Sequence, residues 1–222
     1  MPMLLALDAC TATGSVALFE GAHLRGERTV AMKGAAEERL MPAVVALVNA
    51  ETSWAAIERV VVGGGPGSFT SLRIAASIAK GIVSALGAEL WVVPSLALMC
   101  PPSDGGGEER YLMALDAMRG EYFVSLIEVD HAGAIQRMGA VERVPVASLA
   151  QAAATAKARL VGPSGPMHLT GVPHARRAGA LVLGGVAARV DLASWEPDYG
   201  RLAEAQVKWE AEHQRPLGQA AR

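Results

Sequence analysis

Cysteine, aromatic residues and charge are all scarce in this chain of 222 residues. Only Cys10 and Cys100 are present, far apart and in no metal-like spacing. That excludes a disulfide-stapled secreted scaffold and a cysteine zinc ribbon, and it fits reduced thiols in a cytoplasmic protein. Charged residues make up 19% and the net charge is −2, so the basic excess of a stand-alone nucleic-acid binder is missing. Any RNA would be held mainly by a partner. The five histidines, His23, His131, His168, His174 and His213, include no pair at i, i+3 or i, i+4 and no His-Glu-x-x-His. A zinc or iron site built on one helix is thereby excluded. No serine stands in a Gly-x-Ser-x-Gly elbow; Pro163-Ser164-Gly165 and Gly67-Ser68-Phe69 lack that frame. The stretch Met1–Asp8 carries neither a basic leader nor a long enough apolar run for a signal peptide. The richest apolar region, Ile74 to Met99, is broken by Lys80, Gly87, Glu89 and Pro94 and is not expected to span a membrane. There is no internal repeat or low-complexity tract.

What the chain does have is apolar bulk. At 51% hydrophobic residues it can fill a core, and its length suits one large domain or two small ones. The patterning predicts strands over Met3–Asp8, Gly14–Glu20 and His23–Val30, with short connections that suit antiparallel hairpins. A helix is expected over Glu37–Asn49, with Glu37 and Glu38 in its first turn and Pro42 either in that turn or at a kink. Ile57–Val62 reads as a strand, Thr70–Leu86 as a helix and Leu90–Val93 as a strand closed by Pro94. This β-β-β-α-β-α-β order calls for a mixed sheet with a meander followed by right-handed parallel crossovers, the arrangement of a ribonuclease-H-like, actin-like ATPase half-domain. Pro101–Glu109 is the best linker, dividing the chain into 1–103 and 104–222. Beyond it, strands are expected over Tyr111–Leu115, Tyr122–Val129, Ile135–Val144 and Arg159–Gly162. Helices are expected over Val146–Ala158, Ala178–Asp191 and Glu204–His213, the last packing back on the first half.

The two helices of the first half are apolar on more than one side. In the second, Leu72, Ala75, Ala76, Ala79, Ile82, Val83 and Leu86 form a stripe at helical spacing, and Ile74, Ile78, Gly81 and Ala85 form another. In the first, Leu40, Val44, Leu47 and Val48 make one stripe, with Met41, Val45 and Ala46 around it. Helices of this kind are covered twice, by their own sheet and by something else. The expected docking surface is therefore Leu40, Met41, Val44, Val45, Ile74, Ile78, Lys80 and Ile82.

Three motifs bear on chemistry. Val60–Val62 runs into Gly63, Gly64, Gly65, Pro66 and Gly67, then a helix that Ser68 or Thr70 could cap. A glycine loop before a helix N-terminus suits an anion. The Gly-Lys-Ser/Thr of a P-loop is absent, however, as is the dinucleotide Gly-x-Gly-x-x-Gly. A tight turn that packs helix on sheet explains the glycines equally well. Asp8 and Thr11 sit where the first strand ends; they suit either a nucleotide contact, with Gly65, Gly67 and Ser68, or a self-capped turn. Asp116, Arg119 and Glu121 place charge in a hairpin, which suits either an interdomain cleft or a charge-laced turn with Gly120 left-handed.

Taken together, these residues resemble the TsaB (YeaZ) family. Leu4–Asp8 with Thr11 and Ser15–Leu18 resembles its opening, and Glu38-Arg39-Leu40-Met41-Pro42 its Glu-x-Leu-Leu-Pro helix start. Gly65–Thr70 with Leu72-Arg73-Ile74 and Ala79-Lys80-Gly81 is similar to its most specific signature. Asp116–Glu121 resembles its Asp-Ala-Arg-Arg-Gly-Glu segment, and Glu196-Pro197-Asp198-Tyr199 its closing Pro-x-Tyr. The departures are Ala36-Glu37 for His-Ser, Ser71 for glycine, Met118 for arginine and Gly200 for leucine. The resemblance implies an actin-like fold of two subdomains, the second reduced. It also implies a non-catalytic scaffold or activator in the addition of threonylcarbamoyl to N6 of the adenosine beside the tRNA anticodon. Its partners would be a paralogous, metal-holding transferase (TsaD) and a small ATPase (TsaE), with tRNA met only through the complex and a homodimer formed in isolation. No cofactor is required by this reading, and ATP or ADP at Asp8 and the glycine loop is the one left open. The alternatives are an independent actin-fold ATP-dependent transferase or kinase using Asp8 and the glycine loop, and a metallopeptidase, which the histidine spacing opposes.

Overall fold

Apolar runs without polar alternation need cover on both faces, and the first sheet is built on them. Residues 3–32, 38–102, 109–200 and His213 are described in a computed structural model of the chain. Strand β1 (Met3–Asp8) is buried along its whole length. It pairs antiparallel with β2 (Thr13–Glu20), which pairs antiparallel with the polar edge strand β3 (His23–Ala31). On its other side β1 runs parallel to β4 (Ile57–Gly63), and β4 to β5 (Glu89–Val93). The meander and the parallel crossovers thus stand as expected, crossed by helices α1 (Leu40–Glu51) and α2 (Phe69–Leu86).

The helix ends differ in detail from expectation. Glu37 lies outside the described residues. Glu38 precedes α1 rather than entering its first turn, and its carboxylate accepts the N–H groups of Leu40 and Met41. It caps the helix from outside. Pro42 falls in the first turn, where its missing N–H costs nothing. Ser68 holds the N-cap position of α2, but its hydroxyl meets that of Ser71 at 3.1 Å instead of a backbone N–H. Gly87, at φ +68°, ends α2 in the left-handed conformation. By length and composition α2 is apolar enough to cross a membrane, yet its inner stripe lies in the core of this fold.

The second sheet is built on the hairpin β6 (Glu109–Asp116) and β7 (Glu121–Val129). The single strand expected over Ile135–Val144 is instead two, β8 (Ile135–Met138) and β9 (Glu142–Pro145), both paired with β7. Gly139 parts them, its N–H on the Leu126 carbonyl at 2.8 Å and its carbonyl on the Ser125 hydroxyl. Helix α3 (Leu149–Ala156), shorter than expected, leads to β10 (Arg159–Gly162), which runs parallel to β6 and to the two-residue β11 (Leu169–Thr170).

The helix expected over Ala178–Asp191 covers less than half of that range. Its α-helical part, α4 (Ala178–Leu183), stops at Gly184-Gly185, the second glycine at φ +72°. The chain then adds β12 (Ala188–Arg189) to the edge of the first sheet, beside β5. Across the expected boundary at 103/104 the two halves pack on each other. Ala175 donates to the Ser15 hydroxyl at 2.9 Å, and Gly179 lies so close to Phe19 that a Cβ would stand 2.7 Å from the ring. One core cluster joins Leu4, Ala17 and Phe19 of the first sheet to Tyr111, Met113 and Ile127 of the second. The helix expected over Glu204–His213 lies outside the described residues except for its last.

Candidate functional site

The glycine loop is closed by its own chain. Asp8, at the end of β1, is fully buried. Its carboxylate accepts the Ser95 hydroxyl at 2.7 Å and the Cys10 N–H at 3.2 Å. Ser95 in turn accepts the Gly65 N–H at 3.1 Å and donates its own N–H to the Gly65 carbonyl. Glycine is required around this bolt. A Cβ at Gly63 would stand 1.8 Å from an Asp8 oxygen, and one at Gly67 would stand 2.2 Å from the Cys10 carbonyl. Burial pushes the Asp8 carboxyl above its ordinary 3.8, only partly offset by Ser95 and Cys10. Burial and the neighbouring Asp8 push the Cys10 thiol far up.

The structure therefore brings Asp8, Gly65, Gly67 and Ser68 together, as the nucleotide reading requires, but not in a form that fits a phosphate. The N–H groups of Gly64, Gly65 and Ser68 are spent on Val93, Ser95 and Cys10. Thr11 stands apart, its hydroxyl exchanging hydrogen bonds with Thr13. Among the described residues no three His, Cys, Asp or Glu side chains are grouped as a metal ion would need. His168 and His174 instead accept backbone N–H groups of Leu160 and Arg176.

The helix pair is open where the loop is closed. Leu40 and Val44 are fully buried, which corrects their assignment to the docking surface: they are core residues, whereas Ile82, though largely buried, still borders the second groove described below. Lys80 also turns away from that surface, to Glu196 at 3.0 Å and over the Trp195 ring. Met41, Val45, Ile74 and Ile78 remain partly accessible. Two adjoining grooves run along this face, about 450 Å³ and 410 Å³, and they share Ser77 and Ile78. The first is bordered by Glu38, Phe69 and Arg73, the second by Met41, Trp54 and Ala85. Phe69, Arg73 and Trp54 were not among the expected residues. An i, i+4 aromatic–cation pair was the available signal for the first two, and the Arg73 guanidinium lies 4.6 Å from the Phe69 ring centre.

The third motif forms a strained turn. The Asp116 carboxylate accepts the Met118 N–H at 2.7 Å, and Glu121 faces Arg143 at 3.7 Å. The left-handed conformation expected at Gly120 extends back over Arg119 (φ +57°) and the exposed Met118 (φ +64°). These residues hold one end of the β6–β7 hairpin.

Comparison with known proteins bears on the same features. The model of the family described as TsaD, tRNA N6-adenosine threonylcarbamoyltransferase, matches residues 32–160, more than half of the chain. The chain is 34% identical over 134 residues to the tRNA threonylcarbamoyladenosine biosynthesis protein TsaB of Escherichia coli, a match covering 59% of this chain and 57% of that one. It therefore spans little more than half the length of that relative. With the protein of the same name from Bacillus subtilis it shares 26% identity, over 93% of this chain and 97% of the other. Among solved structures, YeaZ from Pseudomonas aeruginosa superposes with a TM-score of 0.71 at 26% identity, covering 90% of this chain and all of that one. The fold is the mixed α/β fold of actin-like ATPases, with two mixed sheets. Motifs, fold and relatives converge: the chain belongs to the TsaD-type family, and it is similar to the proteins named TsaB and YeaZ.

Proposed function

We propose that this chain is a non-catalytic subunit of the machinery that builds threonylcarbamoyladenosine in tRNA, working in the cytoplasm by pairing with a paralogous transferase. A small ATPase completes the assembly, and tRNA is met through the complex. In isolation the chain pairs with a second copy. One observation carries this reading: α2 sets Ile74 and Ile78 along two open, largely apolar grooves. Apolar faces of this kind are rarely left to water. The names of the TsaB relatives supply the pathway. The independent ATP-dependent enzyme is the weaker reading, because the N–H groups that would cradle phosphate are engaged inside the chain.

The test is threonylcarbamoyl transfer to tRNA with the purified chain alone, then with the paralogous transferase and the ATPase added. Transfer is expected only with the partners present; transfer by the chain alone would overturn the proposal. A second arm is Ile78→Glu, which is expected to abolish co-elution with the transferase while leaving the circular dichroism spectrum unchanged. Pairing that survives this change would move the interface elsewhere.

A further inference from the structure

The segment Trp195–Gly200 lies across α2 and the glycine loop, and nothing in its own secondary structure holds it there. Its contacts fall on one flank of the helix, between the buried inner stripe and the open grooves. Lys80 takes Glu196 at 3.0 Å and faces the Trp195 ring at 5.7 Å. About three turns nearer the N-terminus, the Tyr199 ring lies 4.4 Å from that of Phe69, whose other neighbour is Arg73. Between these anchors the Asp198 N–H donates to the Gly64 carbonyl at 2.8 Å, and Pro197 is buried.

Two glycines make the fit close. A Cβ on Gly65 would stand 2.0 Å from the Asp198 carbonyl oxygen, at a residue whose φ is +100°. A Cβ on Gly200, at φ +66°, would stand 2.4 Å from the Phe123 ring and 3.0 Å from Pro66. The segment therefore also reaches the second sheet, through Phe123 of β7. Its aromatic anchor lies at the wall of the first groove, because Phe69 and Arg73 both border that groove.

We propose that Trp195–Gly200 is a strap that fixes the N-terminal end of the docking face. It clamps the glycine loop from outside while the Asp8–Ser95 bolt clamps it from inside, and its Tyr199–Phe69–Arg73 stack sets the wall of the groove that the partner enters. This inference rests on the proposed pairing through α1 and α2. Tyr199 is a positioning residue in it, acting on the partner only through Phe69 and Arg73.

The experiment compares Tyr199→Ala, Tyr199→Phe and Ile78→Glu, each in the full chain. Amide hydrogen exchange and affinity for the paralogous transferase are measured on all three. Tyr199→Ala should speed exchange at Asp198 and in the first turn of α2, and should weaken pairing by about tenfold, since lost preorganisation is lost affinity. Tyr199→Phe keeps the ring and should restore both. Ile78→Glu should abolish pairing with exchange at Asp198 unchanged. Loosened exchange with undiminished pairing in Tyr199→Ala would overturn the strap as a device and leave it a mere packing element. Unchanged exchange would show that Tyr199 does not hold the segment, which also overturns it. Pairing unaffected by Ile78→Glu would instead overturn the docking face, an outcome distinct from either. If Tyr199→Ala fails to fold, Tyr199→Leu, which keeps apolar bulk but removes the ring that meets Phe69, carries the same pair of measurements.

Discussion

Helix α2 has two apolar faces, and they differ in what covers them. Leu72, Ala75 and Ala79 on the inner face are fully buried, Ala75 and Ala79 in the cluster they share with β1, β4 and α1 and Leu72 in the cluster that joins the two sheets. On the outer face Ile74 and Ile78 are only half-covered, and Gly81 and Ala85 are open to solvent. A helix that served its own fold alone would carry polar residues there. The inner face accounts for stability and the outer is the proposed place of assembly, and the same turn of helix can be asked about each separately.

The largest expected effect lies on the inner side. Leu72→Ala should remove about 2–5 kcal/mol of folding stability, the usual range for a filled core position left as a cavity. A urea titration should show a lower midpoint with unchanged slope. Next comes the outer side. Ile78→Glu should leave the urea midpoint nearly where it was, yet weaken pairing with the transferase by about a hundredfold, at about 1.4 kcal/mol for each factor of ten. If both substitutions cost stability alike, the two faces do not divide the work and the comparison fails.

Much of this division was legible in the chain. The spacing of Leu72, Ala75, Ala79 and Val83 against Ile74, Ile78 and Gly81 separates the stripes, because a period of 3.6 residues is strong over 18 residues. What periodicity does not carry is the third dimension. Leu40 and Val44 are as apolar as their neighbours, and only the position of the sheet shows that they face inward. Lys80 was assigned to the docking face by sequence adjacency, whereas a segment more than a hundred residues later claims it. Short elements were the least legible. β8 and β9 are four residues each, and α4 yields to a glycine pair that an apolar pattern passes over. The glycine loop is plain in the sequence, but its occupants are not. Ser95 carries no motif and Asp198, although within the closing Pro-x-Tyr motif, is remote in sequence, so nothing local foretells that the loop is filled from within.

A smaller effect is expected at the bolt beneath the inner face. Asp8 keeps a carboxyl whose folded pKa lies above the ordinary 3.8 because burial disfavours its charge. Between 3.8 and the raised value the native state therefore holds a proton that the unfolded chain has already released. Its stabilising contribution is complete below 3.8 and declines as pH rises through the raised value. Asp8→Asn removes that slope but leaves one of two donors, Ser95 or Cys10, facing an amide N–H₂, at about 1 kcal/mol. Stability curves of the two proteins should thus converge in favour of the variant as pH rises above 3.8. Parallel curves would mean that Asp8 is charged in the native state and that the bolt works differently. Pairing through the outer face should be unchanged.

The smallest effect should come from the ion pair that ties the strap to α2. Glu196 is largely exposed, and Lys80 also faces the Trp195 ring. An exposed pair gains little against the entropy of holding two long side chains and the screening of salt. Glu196→Ala should therefore cost at most about 0.5 kcal/mol, and less as salt is raised. Tyr199→Ala, which removes a ring contact between partly covered aromatics, should cost more, about 1 kcal/mol. The ranking sharpens the comparison of the two faces. If the strap holds α2 by its aromatic end, the groove beside Phe69 and Arg73 is set there, and loosening the Lys80 end leaves pairing intact. If Glu196→Ala instead weakens pairing as much as Tyr199→Ala does, the flank of α2 acts as one rigid edge along its whole length. The outer face would then extend to Lys80 after all.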